Sequence, residues 1–243
     1  MKMLVTSDWH MDAKTMGVER FTEIQIAVRH TVDVAIERDI DLYVFLGDLM
    51  DPDCGSISYR IIRYVLSVIK RLSDVGIASL WVAGNHDVMH DGHGTTTLSP
   101  IGGVESSLSS HLYPTDVRYA SHPCEVIVHT RNGEQTRCVA LPYPTDKSKL
   151  NVYKDICEGA VVFSHLNLEG MIPGEESHEM ARGQDHYLPL RDMPTPRAIF
   201  NGHYHKAQSY ALHGCPVVQI PGSLAKLTFG EQDHTPSFIL AEV

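Results

Sequence analysis

The stretch Met3-Leu4-Val5-Thr6-Ser7-Asp8-Trp9-His10, "MLVTSDWH", runs from an apolar, β-prone segment straight into a carboxylate and an imidazole two residues apart. Four later segments end in the same way. Leu42 to Leu46 leads into Gly47-Asp48-Leu49-Met50-Asp51, and Ser79 to Ala83 into Gly84-Asn85-His86-Asp87. Ala160 to Phe163 leads into Ser164-His165, and Ala198 to Asn201 into Gly202-His203-Tyr204-His205. Short continuous apolar runs rich in Val, Ile, Phe and Tyr suit strands buried on both faces. The repetition turns a curiosity at the first strand into a pattern: polar, metal-competent groups stand at strand tips throughout the chain.

Helical periodicity separates the first three runs. Phe21, Ile24, Val28, Val32, Ala35 and Ile36 recur every three or four residues, as do Ile61, Ile62, Val65, Ile69 and Leu72, with Gly76 placed to end the second helix. Strand alternating with helix implies crossover connections and a largely parallel sheet. Ligands of such sheets bind beyond the carboxyl ends of the strands. All five endings are therefore expected to converge on one edge and to form one shared site.

The remaining chain is less regular. Cys124 to His129 and Thr136 to Leu141 flank Asn132-Gly133, a strong hairpin signal, and centring the turn there sets Ile127 opposite Cys138. Ala207 to Leu212 and Pro216 to Ile220 suggest a second hairpin around His213-Gly214, and Ser237 to Val243 a closing strand. These runs point to a second sheet stacked on the first, with no linker-like break between them. One long irregular stretch runs from Leu166 to about Pro196. It exceeds the roughly 12–15 residues of a plain connection, so it is a candidate groove wall; Glu175, Glu176 and Glu179 would repel phosphate, and a solvated loop is an equal reading.

Composition sets outer limits. The 243 residues, of which 43% are hydrophobic, suit a globular chain of one large domain or two small ones. No run of about 18 apolar residues is present, so no membrane span is expected, and the N-terminus lacks the pattern of a secretory signal. The five cysteines are scattered, odd in number and without a C-x-x-C pair, which fits free thiols in a reducing cytoplasm. A net charge of −10 argues mildly against nonspecific nucleic-acid binding. It leaves out bound cations, which would reverse the sign locally. No G-x-x-x-x-G-K-[ST] loop occurs, so any ATP-driven step must come from another chain.

Asp8, His10, Asp48, Asn85, His165, His203 and His205 exceed the four ligands of one zinc and suit two metal ions completed by water. The plain alternative is capping and turn work at strand ends, where Asp and Asn are common; the fivefold recurrence weighs against it. Two dications roughly 3.5–4 Å apart repel by on the order of 15–20 kcal/mol at an effective dielectric of ~20. A bridging carboxylate, for which Asp48 is the choice, and a bridging hydroxide would offset this. Mixed oxygen and nitrogen ligands favour manganese, iron or zinc over magnesium. The hydroxide would attack phosphorus while the ions neutralise phosphoryl charge. His86 is expected to protonate the leaving oxygen, with Asp87 orienting its ring. His90 and His93 beside Asp91 could be read as a further metal site, but a solvated loop is the simpler reading, as is a surface lysine for Lys226. The remaining histidines lack ligand spacing.

Asp8-x-His10, Gly47-Asp48-x-x-Asp51, Gly84-Asn85-His86-Asp87, His165 and Gly202-His203-x-His205, in that order, resemble the calcineurin-like metallophosphoesterases. The resemblance implies a four-layer α/β/β/α sandwich. It also implies one ion on Asp8, His10, Asp48 and His205, and a second on Asp48, Asn85, His165 and His203. Asp51, where some relatives carry histidine, is read as structural or supporting. "TSDWH" (Thr6 to His10), "GQDHYLPL" (Gly183 to Leu190) and "PGSLAKLTFGE" (Pro221 to Glu231) resemble, more closely, the SbcD-type nuclease subunits of double-strand-break-repair complexes. That likeness implies a manganese-dependent DNA exonuclease and endonuclease partnered with an SbcC-type coiled-coil ATPase, acting in DNA repair. Those nucleases usually continue into a capping domain and an ATPase-binding segment. This chain stops just after its closing strand, so residues 1–243 are expected to form a single phosphoesterase domain without a separate capping domain.

Rival readings share the ligands and differ in the groove. A small-molecule or cyclic-nucleotide phosphodiesterase would have a closed pocket, and a DNA enzyme an extended one. A protein phosphatase fits less well. That group usually places Arg-Gly after the second motif and Glu after Asn-His, where this chain has Pro52-Asp53 and Asp87. A scaffold that kept the fold and lost the chemistry would not need the complete ligand set. No membrane partner is expected, and a homodimer is left open.

Overall fold

The computed structural model describes residues 1–89, 95–103, 110–145, 156–168, 171, 187–188, 195–211 and 217–243. The opening stretch forms β1 (Lys2–Thr6), the second strand of a five-stranded sheet. A two-residue hairpin, β2 (Lys14–Thr15) and β3 (Val18–Glu19), precedes helix α1 (Phe21–Glu37). Then come β4 (Leu42–Phe45), α2 (Ile57–Asp74), β5 (Ala78–Val82) and a single turn of helix, α3 (Ser99–Gly102). The chain continues through β6 (His111–Leu112), β7 (Val117–Ala120), β8 (Cys124–His129) and β9 (Gln135–Leu141). It ends with β10 (Val161–Ser164), β11 (Asn167–Leu168), β12 (Tyr187–Leu188), β13 (Ala198–Asn201), β14 (Gln208–Tyr210), β15 (Val218–Ile220) and β16 (Ile239–Glu242).

The first sheet has the order β16-β1-β4-β5-β7, with β1, β4, β5 and β7 parallel and β16 antiparallel to β1. The second has the order β14-β15-β13-β10-β9-β8-β6. Strand alternation explains how the first sheet is buried on both sides. Leu4, Tyr43, Phe45 and Trp81 face α1 and α2, where they meet Ile24, Val28, Val32, Ile61, Val65 and Leu72. The intervening Met3, Val5, Leu42, Val44, Ala78, Leu80 and Val82 face the second sheet and pack on Val126, Val128, Cys138, Ala140, Val161, Phe163 and Phe200. Each such fully buried large side chain contributes about 1.5–3 kcal/mol. Buried polar groups of the helix-side layer find partners: the Tyr43 hydroxyl lies 2.6 Å from Thr31 Oγ1, which donates to Val28 O, and the indole N–H groups of Trp9 and Trp81 donate to the Thr6 and Ser79 hydroxyls.

The sequence-derived helices agree with these faces, except that Ile36 and Ile62 are only half-buried. Gly76 adopts φ +78° just past the end of α2, a conformation that favours glycine. The outer face of the second sheet carries Val139, Leu141, Val162, Ile199 and Val218 against Cys157, Leu166, Leu168, Met171 and Tyr204. Helix, sheet and sheet are thus three of the four expected layers. No helix among the described residues covers that outer face, and residues 146–155, between β9 and β10, lie outside the described residues.

Two local expectations are corrected. The β8–β9 hairpin forms, but Val126, not Ile127, faces Cys138, and Ile127 faces Arg137. The turn spans Thr130 to Glu134, with Thr130 N donating to Glu134 O, so it is longer than a two-residue connection and shifts the register by one. The five polar strand tips also do not share one sheet: β1, β4 and β5 belong to the first, β10 and β13 to the second. β14 and β15 pair antiparallel as expected, but residues 212–216 between them are outside the described residues. The stretch around His90, Asp91 and His93, and most of Leu166 to Pro196 with Glu175, Glu176 and Glu179, are likewise outside them. Cys54 and Cys138 are free thiols.

Candidate metal centre

The strand tips of the two sheets are laced together beyond the strands themselves. Asp8 N donates to Gly47 O, His10 N to Asp48 O and Met11 N to Leu49 O, at 2.9, 3.0 and 2.8 Å. Tyr143 N donates to Ala83 O across the sandwich, His165 N to Leu141 O and Gly202 N to Ser164 O. The backbone is bent to bring the side chains inward: Asp8, His10, Asp48 and His203 all have positive φ, between 42° and 76°. Such conformations cost energy in non-glycine residues and persist where surroundings over-determine them. Crowding accounts for the three motif glycines, Gly47, Gly84 and Gly202. A Cβ at Gly47 would lie 2.5 Å from His165 Nδ1, and one at Gly84 would run into the Asp48 carboxylate.

All seven expected ligands come together. Asp8, His10 and His205 form one group, and Asp48, His165 and His203 a second, with ligand atoms inside each group within 4.8 Å of one another. Asp48 spans the two: its Oδ2 lies 3.7 Å from His10 Nε2 and 3.3 Å from His165 Nε2. Asn85 Oδ1 lies 3.0 Å from His165 Nε2 and 2.7 Å from His203 Nδ1. His10 Nε2 and His205 Nε2 face each other at 3.0 Å.

Three of the four histidines spend their outward nitrogen on a neighbour. His165 Nδ1–H donates to Leu46 O at 2.5 Å, His203 Nε2–H to Asn167 Oδ1 at 2.6 Å and His205 Nδ1–H to Glu231 Oε1 at 2.7 Å. With the rings neutral, as metal binding requires, each inward nitrogen is then a lone pair. These lone pairs converge on the carboxylate of Asp48, the amide oxygen of Asn85 and Asp8 Oδ2, which is buried with no hydrogen-bond partner. Acceptors gathered without donors repel one another, and cations resolve the conflict. The donor set therefore fits metal ions. Asn167 and Glu231 were not singled out from sequence; neither lies in a strand-tip motif, though Thr228-x-x-Glu231 carries a capping pattern.

Protonation follows the same crowding. Burial, reinforced by the neighbouring His205 or His165, pushes the pKa values of His10 and His203 down to about 3, leaving both neutral and able to ligate. Burial also pushes Asp8 up to about 6, with Asp48 adding to the rise. Burial disfavours charge on His165, but Asp48 and Asp8 outweigh it and lift it to about 9. A proton there stands in for a cation. Asp48 is held well below the usual carboxylate range: burial opposes its charge, but His165, His10 and His86 favour it.

His86 stands at the mouth of the site, its side chain 44% exposed and its ring 4.8 Å from that of His10. Its backbone N–H donates to Asp48 Oδ1. The partner of its ring is not the one expected. Asp51 Oδ1 lies 2.7 Å from His86 Nδ1. Asp87 is turned inward, accepting the N–H groups of Asp48, Leu49 and Gly84 and the Thr97 hydroxyl at 2.8–2.9 Å. A carboxylate with four donors around it is anchored away from the His86 ring, so Asp87 shapes the loops that carry Asp48 and Asn85. Burial opposes charge on His86, but the Asp51 hydrogen bond and the charges of Asp48, Asp51 and Asp87 raise its pKa to about 9. Lys226 is exposed and donates to Gln232 O. The site opens into a cleft of about 770 Å³ lined by His10, Asp12, Lys14, Asp51, His86 and Tyr143, among others.

Comparison with known proteins agrees with this geometry. The sequence profile described as calcineurin-like phosphoesterase matches residues 1–207. The DNA double-strand break repair protein Mre11 of Sulfurisphaera tokodaii is 22% identical over 91% of this chain and 53% of its own length. The SbcD subunit of the SbcCD nuclease of Escherichia coli is 24% identical over 95% of this chain and 62% of its own length. The chain thus spans between half and two thirds of these relatives. Among solved structures, a dimetal phosphatase from Danio rerio superposes with a TM-score of 0.59 at 12% identity, covering 99% of this chain and 91% of its own. The protein TT1561 of Thermus thermophilus gives 0.51 at 15% identity, covering 91% and 89%. At such identities the solved structures speak for the fold alone. The ordered motifs, the sandwich that brings them together and the profile match over most of the chain place this protein in the calcineurin-like phosphoesterase family.

Proposed function

We propose that this protein is a two-metal phosphodiesterase that cleaves DNA. The observation that carries the reading is the gathering of lone pairs and carboxylates, shared through Asp48, at the floor of an open cleft. Its kinship with the repair protein Mre11 and the nuclease subunit SbcD supports DNA as the substrate. Asp8, His10, Asp48 and His205 would hold one ion, and Asp48, Asn85, His165 and His203 the other. Manganese is our choice for both. Bound ions of this kind supply a water nucleophile at neutral pH and neutralise charge on the phosphoryl oxygens.

The chain's own residues do the rest. His86, protonated and oriented by Asp51, gives its proton to the leaving oxygen. Asp87 holds the Asp48 and Gly84 backbones so that Asp48 and Asn85 stay aimed inward. Residues 1–243 act as one phosphoesterase unit, since β16 closes the first sheet against β1. An SbcC-type ATPase is the proposed partner. Among the described residues, no helix is long and apolar enough to cross a membrane.

A manganese-supplemented assay comparing duplex DNA, single-stranded DNA and a cyclic nucleotide tests the substrate. Cleavage of DNA is expected. Rapid cleavage of the cyclic nucleotide with neither DNA touched would overturn the choice of DNA and leave a small-molecule phosphodiesterase.

A further inference from the structure

The segment Pro221 to Glu231 lies beyond the family match, yet it reaches the metal centre. Thr228-Phe229-Gly230-Glu231 forms a capping box on the one-turn 3₁₀ helix Phe229–Glu231. Glu231 is buried and does two things at once. Its Oε2 accepts the backbone N–H of Leu227, and that of Thr228 at 3.4 Å. Its Oε1 accepts His205 Nδ1–H at 2.7 Å. The turn that carries it is fastened on both sides: Thr15 donates to Leu227 O at 2.7 Å and Arg20 to Lys226 O at 2.9 Å, while Ser223 N donates to His205 O at 3.0 Å. His205 is therefore held by a rigid carboxylate and by its own backbone.

We infer that Glu231 is a positioning residue for the ion held by Asp8, His10 and His205. It fixes the His205 tautomer that keeps Nε2 unprotonated and inward, and its charge strengthens that nitrogen as a donor. His165 and His203 use a neutral carbonyl or amide oxygen for the same purpose, at Leu46 and Asn167. The two ion sites thus differ: only the first has a described carboxylate behind a ligand histidine. Outer partners of metal-bound histidines typically set affinity by about 10–100-fold. This inference rests on the two-ion reading of the site.

The test is manganese binding to the full chain, measured by calorimetry and by electron paramagnetic resonance of free Mn2+, for the parent, Glu231→Gln and Glu231→Ala. The parent should bind two ions. Glu231→Ala should weaken one of them by about 10–100-fold and leave the other at parent affinity. Glu231→Gln, which keeps an acceptor and loses the charge, should fall between. Hydrolysis by both variants should recover as manganese is raised, which a displaced turn would not allow. Parent affinity for both ions in Glu231→Gln, or equal weakening of both ions in either variant, would overturn the role of Glu231 alone. A parent that binds fewer than two ions would overturn the two-ion reading, and this role with it.

Discussion

Asp48 and His86 are joined by a backbone hydrogen bond, yet they should respond to substitution in different ways. Asp48→Asn removes the one charge shared by both ligand groups, so metal binding and activity should fall together, read by metal content and turnover on the same sample. His86→Gln touches neither group. It should keep both ions and lower kcat by about 10²–10⁴-fold, the usual range for a lost general acid. Parent-rate cleavage by that variant would remove His86 from the chemistry. Asp51→Asn should act through His86. In the metal-free protein, the His86 pKa of about 9 exceeds its ordinary 6.5, so the stabilisation from the pair is complete below pH 6.5 and is lost as pH rises through 9. An NMR titration should place the parent midpoint near 9 and the Asp51→Asn midpoint clearly lower; an unmoved midpoint would show that Asp51 does not hold the ring. The seven candidate ligands stand out in the sequence because each lies just past an apolar run. The sequence misled on Asp87, because adjacency in the chain suggested contact in space, whereas four donors draw that carboxylate inward. Asn167 carried no comparable sign, and Glu231, although it ends the quoted stretch Pro221 to Glu231, gave none of the histidine it meets.

The elements were readable where period and burial agreed. Strands buried on both faces read as unbroken apolar runs, and α1 and α2 kept their apolar faces at intervals of three and four. Register was not readable, because the β8–β9 turn takes a longer loop around Asn132-Gly133 and one residue of shift exchanges every facing pair. Nor did the sequence divide the strand tips between two sheets, since apolar runs look alike whichever sheet receives them. The inter-sheet layer should be the more sensitive to truncation. Leu80→Ala, fully buried between the sheets, should cost about 2–5 kcal/mol in urea unfolding. Ile26→Ala, on the exposed side of α1, should stay within about 0.5 kcal/mol. Equal losses at the two positions would contradict the layering.

The molecule as a whole keeps charge and strain in its centre, and bound ions would reconcile them. Without ions, Asp8 has a raised pKa of about 6 against an ordinary 3.8, so ionising it penalises the fold as pH climbs from 3.8 through 6. Metal-free protein should therefore be less stable at pH 7 than near pH 4.5 as far as Asp8 contributes. Manganese should relieve this at neutral pH, adding about 2.7 kcal/mol for each site filled at 100 times its Kd. Thermal unfolding with and without a chelator at pH 7 checks it; an unchanged Tm would mean that the ions do not bind the folded state. The most direct measurement is a manganese titration of the purified chain by electron paramagnetic resonance, with Asp48→Asn beside it. Two ions per chain with a spin-coupled signal, and loss of that coupling in Asp48→Asn, are the expected result. One ion or none in the parent chain, or two ions that remain uncoupled, would contradict a pair bridged by Asp48.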